Sequence, residues 1–163
     1  HGQLFEKWDE AKAIHYPYKE GECLSCHAEE HKKFNQPTKK ELCLSCHTDL
    51  IKQDEKVIHP GFELQDCTGC HNPHASGFDK QLNKKQSELC FGCHDKPVAE
   101  KHPYDVKPSD KVTINEDKKW LTYEDEVTCT SCHNPHAAKK EFLLREPVAE
   151  GGLCYNCHQK IAS

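Results

Sequence analysis

The sequence predicts a chain that is mostly coil with short α-helices and little or no sheet, folded around groups it binds rather than around its own side chains. Three observations predict it. Leu, Ile, Val and Phe together make up only 29 of 163 residues, below the roughly 20% under which buried apolar area cannot offset the conformational entropy of folding. Against that stand 12 Cys and 13 His, far more than a linker or a disordered tail carries. Pro17, Pro60, Pro73, Pro97, Pro103, Pro108, Pro135 and Pro147 interrupt the chain too often for long helices or extended sheet.

All 12 cysteines fall in CxxC pairs, each followed at once by His. The six motifs run Cys23, Cys26, His27; Cys43, Cys46, His47; Cys67, Cys70, His71; Cys90, Cys93, His94; Cys129, Cys132, His133; and Cys154, Cys157, His158. This is the pattern of covalent haem attachment. Two thiols that add across the two vinyl groups of one haem must sit about one helical turn apart, which places the next residue, His, beneath the iron as proximal ligand. Disulfides would suit an exported chain but give no reason for a His after every second Cys. Zinc ribbons need only four ligands per metal and no such His. The expected cofactors are therefore six haem c groups with their iron.

Seven His remain, and six irons need six distal ligands. Met is absent, so Met/His ligation is unavailable. Bis-His ligation at every iron is expected, with His15, His31, His59, His74, His102 and His136 as distal ligands and His1 spare. Their placement is a threefold repeat. The domains expected are an N-terminal segment 1–14, dihaem module 1 over 15–47, module 2 over 59–94, and module 3 over 102–158 with an insertion at 107–126. Three dihaem modules thus follow one another in a row. His31, His74 and His136 stand three or four residues beyond a proximal His, too short a tether to pass round the same macrocycle, so each must serve a different haem. His15 and His59, eight residues before a first Cys, can reach over their own haem. His59 and His102 can equally serve the preceding motifs at Cys43/Cys46 and Cys90/Cys93, and both pairings stay open.

Brief helices are expected over Lys39–Cys46 and Lys84–Cys93, with a third after Pro147. Leu24, Phe34, Leu44, Phe62, Phe91, Leu121, Phe142, Leu143, Leu144 and Tyr155 are expected to pack on porphyrin. The insertion reads as a solvated segment or small hairpin; Trp120 and Tyr123 would be its anchors if it docked a partner. No apolar run approaches the roughly 20 residues of a membrane span. An acidic chain without a basic patch argues against nucleic acid. A chain with no Met that begins His1-Gly2 is expected to be exported, to the periplasm or the cell exterior, after loss of a signal. Six ferric haems with ionised propionates would move the net charge from -5 to about -11, so redox partners with a basic docking face are expected.

The run CxxCH-NP-His, then FLLREPVAE, then GLCYNCH resembles the doubled-CxxCH multihaem cytochromes c of respiring bacteria and archaea. The likeness is closest in module 3, good in module 2 and partial in module 1, where AEE-His31 replaces NP-His. It implies a haem-organised fold with closely stacked, low-potential bis-His haems. It further implies electron transfer in anaerobic respiration or extracellular electron transfer, as a carrier or as a filament subunit built from copies of itself. No catalytic residue is expected and the chain is not expected to be an enzyme. The alternative, a multihaem reductase of nitrite or a sulfur oxyanion, needs an open axial position, and no CxxCK motif occurs. Because porphyrins are to supply the core, the haem-free chain is expected to be largely unfolded by circular dichroism; a compact apo-protein would overturn that composition argument.

Overall fold

In the computed structural model, which describes residues 10–29, 32–64, 66–95, 104–110, 112–114 and 116–158, the helices are short, and each opens on a proline or a capping box or closes on a motif. Helix α1 (Tyr16–Lys19) carries Pro17 in its first turn, where the missing N–H costs nothing. Helix α2 (Lys39–Leu44) opens on a capping box: the Glu41 N–H donates to Thr38 Oγ1 at 3.1 Å, and the Thr38 N–H donates to Glu41 Oε2 at 3.1 Å. Helices α3 (Pro60–Leu64), α4 (Gln86–Cys90) and α5 (Cys129–Cys132) complete the set among the described residues. Thus α2 and α4 lie within the two spans expected to be helical. Among the described residues after Pro147 no α-helix forms; two 3-10 turns, Ala149–Gly151 and Cys154–Asn156, take its place. Glu150 and Gly151 have φ of 59° and 74°, and that left-handed pair breaks the helical run.

Among the described residues, sheet is confined to three antiparallel ribbons of two-residue strands. Strand β1 (Ala13–Ile14) pairs with β3 (Ala75–Ser76), and β2 (Val57–Ile58) pairs with β6 (Ala137–Ala138). Strands β4 (Thr122–Tyr123) and β5 (Glu126–Val127) form a hairpin at the end of the insertion. Glu124 and Asp125 turn it with φ of 53° and 63°, the left-handed pair that a two-residue hairpin loop requires.

The chain divides into two compact units, His1–Leu50 with Gly61–Leu89, and Ile51–Pro60 with Cys90–Ser163. Each contains three of the six CxxCH motifs and one long-range ribbon. In the first unit, α2 packs on the turn Cys67–Gly69. Lys39 there reaches Asp66 at 3.0 Å and Thr68 Oγ1 at 3.3 Å, and Lys40 lies 4.6 Å above the Phe62 ring. In the second, the turn Glu116–Leu121 and β4 pack on α5. Lys118 donates to Asn156 Oδ1 at 2.7 Å, and the Arg145 guanidinium lies 5.1 Å over the Trp120 ring.

The apolar side chains buried among the described residues are Leu82, Leu121, Ala137 and Ala138. The insertion therefore supplies part of the second unit's small interior, since Leu121 is only 2% exposed. The haem-loaded Leu121→Ala variant is expected to lose about 2–5 kcal/mol, the usual cost of emptying a packed leucine site. A urea midpoint equal to that of the parent would show that the insertion does not hold the unit together.

Candidate haem centres

Every CxxCH motif closes the same turn. The His N–H donates to the carbonyl of the first Cys in all six: His27 to Cys23 at 3.0 Å, His47 to Cys43 at 3.0 Å, His71 to Cys67 at 2.9 Å, His94 to Cys90 at 2.9 Å, His133 to Cys129 at 3.0 Å and His158 to Cys154 at 2.9 Å. A single α-turn of this kind brings both thiols and the imidazole to one side of the backbone. None of the twelve cysteines is in a disulfide, so both sulfurs of each motif are available for thioether bonds.

Residues that the motif pattern does not flag hold three of these turns in place. The N–H groups of Asn35, Asn83 and Arg145 donate to the carbonyls of Cys26, Cys70 and Cys132 at 3.0, 2.9 and 3.0 Å. Their side chains reach the second residue of the same motif: Asn35 Nδ2 to the Leu24 carbonyl at 2.6 Å, Asn83 Nδ2 to Thr68 at 2.9 Å and Arg145 Nε to Thr130 at 2.7 Å. The signal was present, because Asn83 and Arg145 each stand twelve residues beyond a proximal His and follow a Leu. The NP-His segments are likewise built by a local bond. Asn72 Oδ1 accepts from the His74 N–H at 3.0 Å and Asn134 Oδ1 from the His136 N–H at 3.1 Å, the Asx-turn geometry that Asn favours.

The two long-range ribbons bring the remaining histidines in pairs. Past the end of β1, the His15 N–H donates to the His74 carbonyl at 2.8 Å; past the end of β2, His59 donates to His136 at 2.9 Å. His15 then faces His47 with ring centres 6.1 Å apart and 22° between planes, and His74 faces His27 at 6.2 Å and 19°. In the second unit His59 faces His94 at 5.9 Å and 40°. Two imidazoles on opposite sides of one metal, each with a bond of about 2 Å and about 1 Å from nitrogen to ring centre, place their centres about 6 Å apart. The rings therefore fit a shared iron. His15 stands across from the second motif of its own module rather than over His27, and His59 does the same with His94. His74 stands opposite the first motif of the preceding module. His1, His31 and His102 lie outside the described residues.

Electrostatics favours the ligating form. Burial, then the charge of His47, lowers the pKa of His15; burial, then His94, lowers that of His59; burial, then His27 and His15, lowers that of His74. Each is neutral at pH 7, and the neutral imidazole is the form that binds metal. The thiols report which motifs adjoin. Burial, then Cys67 and Cys26, pushes the Cys43 thiol up to about 12, and burial, then Cys46, raises Cys26. In the second unit a hydrogen bond with Cys90 brings Cys129 down to about 7, and burial, then Cys157 and Cys154, raises Cys132. Within each unit the motifs therefore adjoin in sequence order. Leu24, Phe34 and Tyr155, which stand in or beside motifs, are exposed in the polypeptide and suit contact with a flat apolar ring.

Repeated attachment turns with imidazoles paired across the width of one metal define a multihaem cytochrome of the c type. The family described as the doubled CXXCH motif matches residues 15–52, 59–99 and 123–163, and the chain belongs to that family. These doubled motifs indicate covalently bound haem c with its iron. Among curated relatives, the multiheme cytochrome MtrA of Shewanella baltica is 31% identical over 93 residues, 56% of this chain and 23% of that protein. The acrylate reductase cytochrome subunit of Shewanella woodyi is 26% identical over 111 residues, 64% of this chain and 73% of that protein. The chain thus spans under a quarter of the length of the first relative. Among the described residues no helix is long and apolar enough to cross a membrane.

His15, His59 and His74 have folded-state pKa values below the ordinary one, so their contribution is complete above the unfolded imidazole value of about 6.5 and is lost as pH falls below it. A ferric spectrum that is low-spin at pH 7 and turns high-spin on acidification is the expected result. A spectrum already high-spin at neutral pH would contradict the pairing.

Proposed function

We propose that the chain is an electron-transfer protein with six covalent haems c, each iron held between two histidines. The observation that carries this reading is the pairing of His15 with His47, His74 with His27 and His59 with His94 at ring separations of 5.9 to 6.2 Å. His27, His47, His71, His94, His133 and His158 are the proximal ligands; His15, His59 and His74 are distal, and His31, His102 and His136 complete the set. Haem iron supplies one-electron exchange between its ferric and ferrous forms. At His27, His47 and His94 the polypeptide sets a second imidazole opposite the first, which leaves no open position for a substrate at those three irons and favours a carrier over a reductase. Dihaem modules over 15–47, 59–94 and 102–158 are the units of the repeat, and adjoining motifs in each compact unit give the order in which electrons pass.

Both relatives are named as cytochromes, which supports electron transfer, and with covalent haem at CxxCH motifs the place proposed for it is outside the cytoplasm, periplasmic or extracellular. One of them is named as the cytochrome subunit of a reductase. A comparable role for this chain is delivery of electrons to a separate redox partner with a basic docking face, or to further copies of itself in a filament. Catalytic residues are not part of this reading.

Mass analysis with pyridine haemochrome quantitation is expected to give six haems per chain; fewer would sink the central claim. The His15→Ala variant is expected to keep all its covalent haem and to turn one iron high-spin and open to carbon monoxide. Retention of a wholly low-spin spectrum would remove His15 from the ligand set.

A further inference from the structure

We propose that Lys80 and Phe142 are positioning residues that lower the redox potential at His71 and His133, acting through backbone carbonyls held in a left-handed turn. The proposal rests on the reading that these two histidines carry haem iron. The Nδ1 atom of His71 lies 2.8 Å from the Lys80 carbonyl oxygen, and that of His133 lies 2.7 Å from the Phe142 carbonyl oxygen. With Nε2 on the metal, Nδ1 carries the proton and donates it to the carbonyl. Such donation strengthens the imidazole as an electron donor and favours the ferric state.

The carbonyls are aimed at some conformational cost. Lys80 and Gln81 have φ of 56° and 54°, and Phe142 and Leu143 have φ of 55° and 57°. Consecutive non-glycine residues rarely occupy this region, and they persist only where the surroundings over-determine them. Here the turns are pinned on both sides. The Gln81 carbonyl accepts from the Asn72 N–H at 2.7 Å, and the Leu143 carbonyl accepts from the Asn134 N–H at 2.8 Å. Bridges join His71 to Leu82 and His133 to Leu144.

The same turn stands in both compact units with unlike side chains, Lys-Gln in one and Phe-Leu in the other. Lys80 is exposed, and Phe142 is 79% exposed in the polypeptide. Side-chain chemistry is thus not what recurs; the place of the carbonyl is. Lys80 and Phe142 serve the irons without touching them.

The test uses haem-loaded protein carrying Lys80→Val or Lys80→Gly. Valine disfavours positive φ and should displace the carbonyl, whereas glycine accepts that backbone freely. Spectroelectrochemistry with NMR assignment is expected to show an upward shift in the potential of the His71 haem alone in Lys80→Val. Exchange of the His71 Nδ1 proton in the ferrous protein should become faster, and Lys80→Gly should match the parent in both. Phe142→Val and Phe142→Gly repeat the test at His133, and they carry it alone if Lys80→Val takes up no haem. Valine and glycine variants that behave alike, or a shift shared equally by every haem, would overturn the proposal. Peptide mass analysis separates the two levels: no haem on Cys67 and Cys70 defeats the underlying reading as well, whereas a haem present there with an unmoved potential defeats this proposal only.

Discussion

One hydrogen bond, from the N–H of each motif His to the carbonyl of the first Cys, sets the geometry on which everything else depends. It occurs in all six motifs, whether they lie at the end of a helix, as in α2 and α4, or in a 3-10 turn, as at Cys23–Ser25. Because the bond spans one turn, two thiols and an imidazole emerge together without help from a packed interior. A chain this poor in buried apolar residues needs its chemistry arranged locally, since distant packing cannot do so.

Local arrangement supplies one imidazole per motif. The imidazoles that face His27, His47 and His94 come from elsewhere in the chain, and two-residue ribbons carry them in place of a core. The β1–β3 pair fixes His15 and His74 as neighbours through a backbone bond, yet their rings face the imidazoles of two different motifs. Two-stranded ribbons this short are marginal in water on their own. They end on histidines proposed as iron ligands, so that metal binding there would support strand pairing and be supported by it.

What could be read from the sequence divides along the same line. The CxxCH turns were legible because covalent attachment dictates an invariant spacing, and α2 forms within the span expected for it, where the structure adds a capping box of Thr38 and Glu41. The partner of His15 was not legible, because its position depends on Ala75 and Ser76, and strands of two residues leave no periodicity to detect. The left-handed break at Glu150 and Gly151 was likewise hidden in a stretch that follows a proline and could have continued as helix. Asn35, Asn83 and Arg145 escaped notice because they act on backbone carbonyls, and the spacing of twelve residues that Asn83 and Arg145 share carries no chemistry of its own. In the insertion the hairpin is present, but Leu121 is buried against protein rather than left for porphyrin.

Neither compact unit is a continuous stretch of chain. The first resumes at Gly61 after Ile51–Pro60 has been given to the second. Time therefore enters the fold. As the polypeptide is made from its N-terminal end, β2 appears long before its strand partner β6, and His59 precedes His94 by an entire module. The first unit is complete once residue 89 has emerged, while a ten-residue segment in its midst waits for sequence still to come. An order of folding is thus written into the connectivity, because Val57 and Ile58 gain their pairing only once Ala137 and Ala138 have followed.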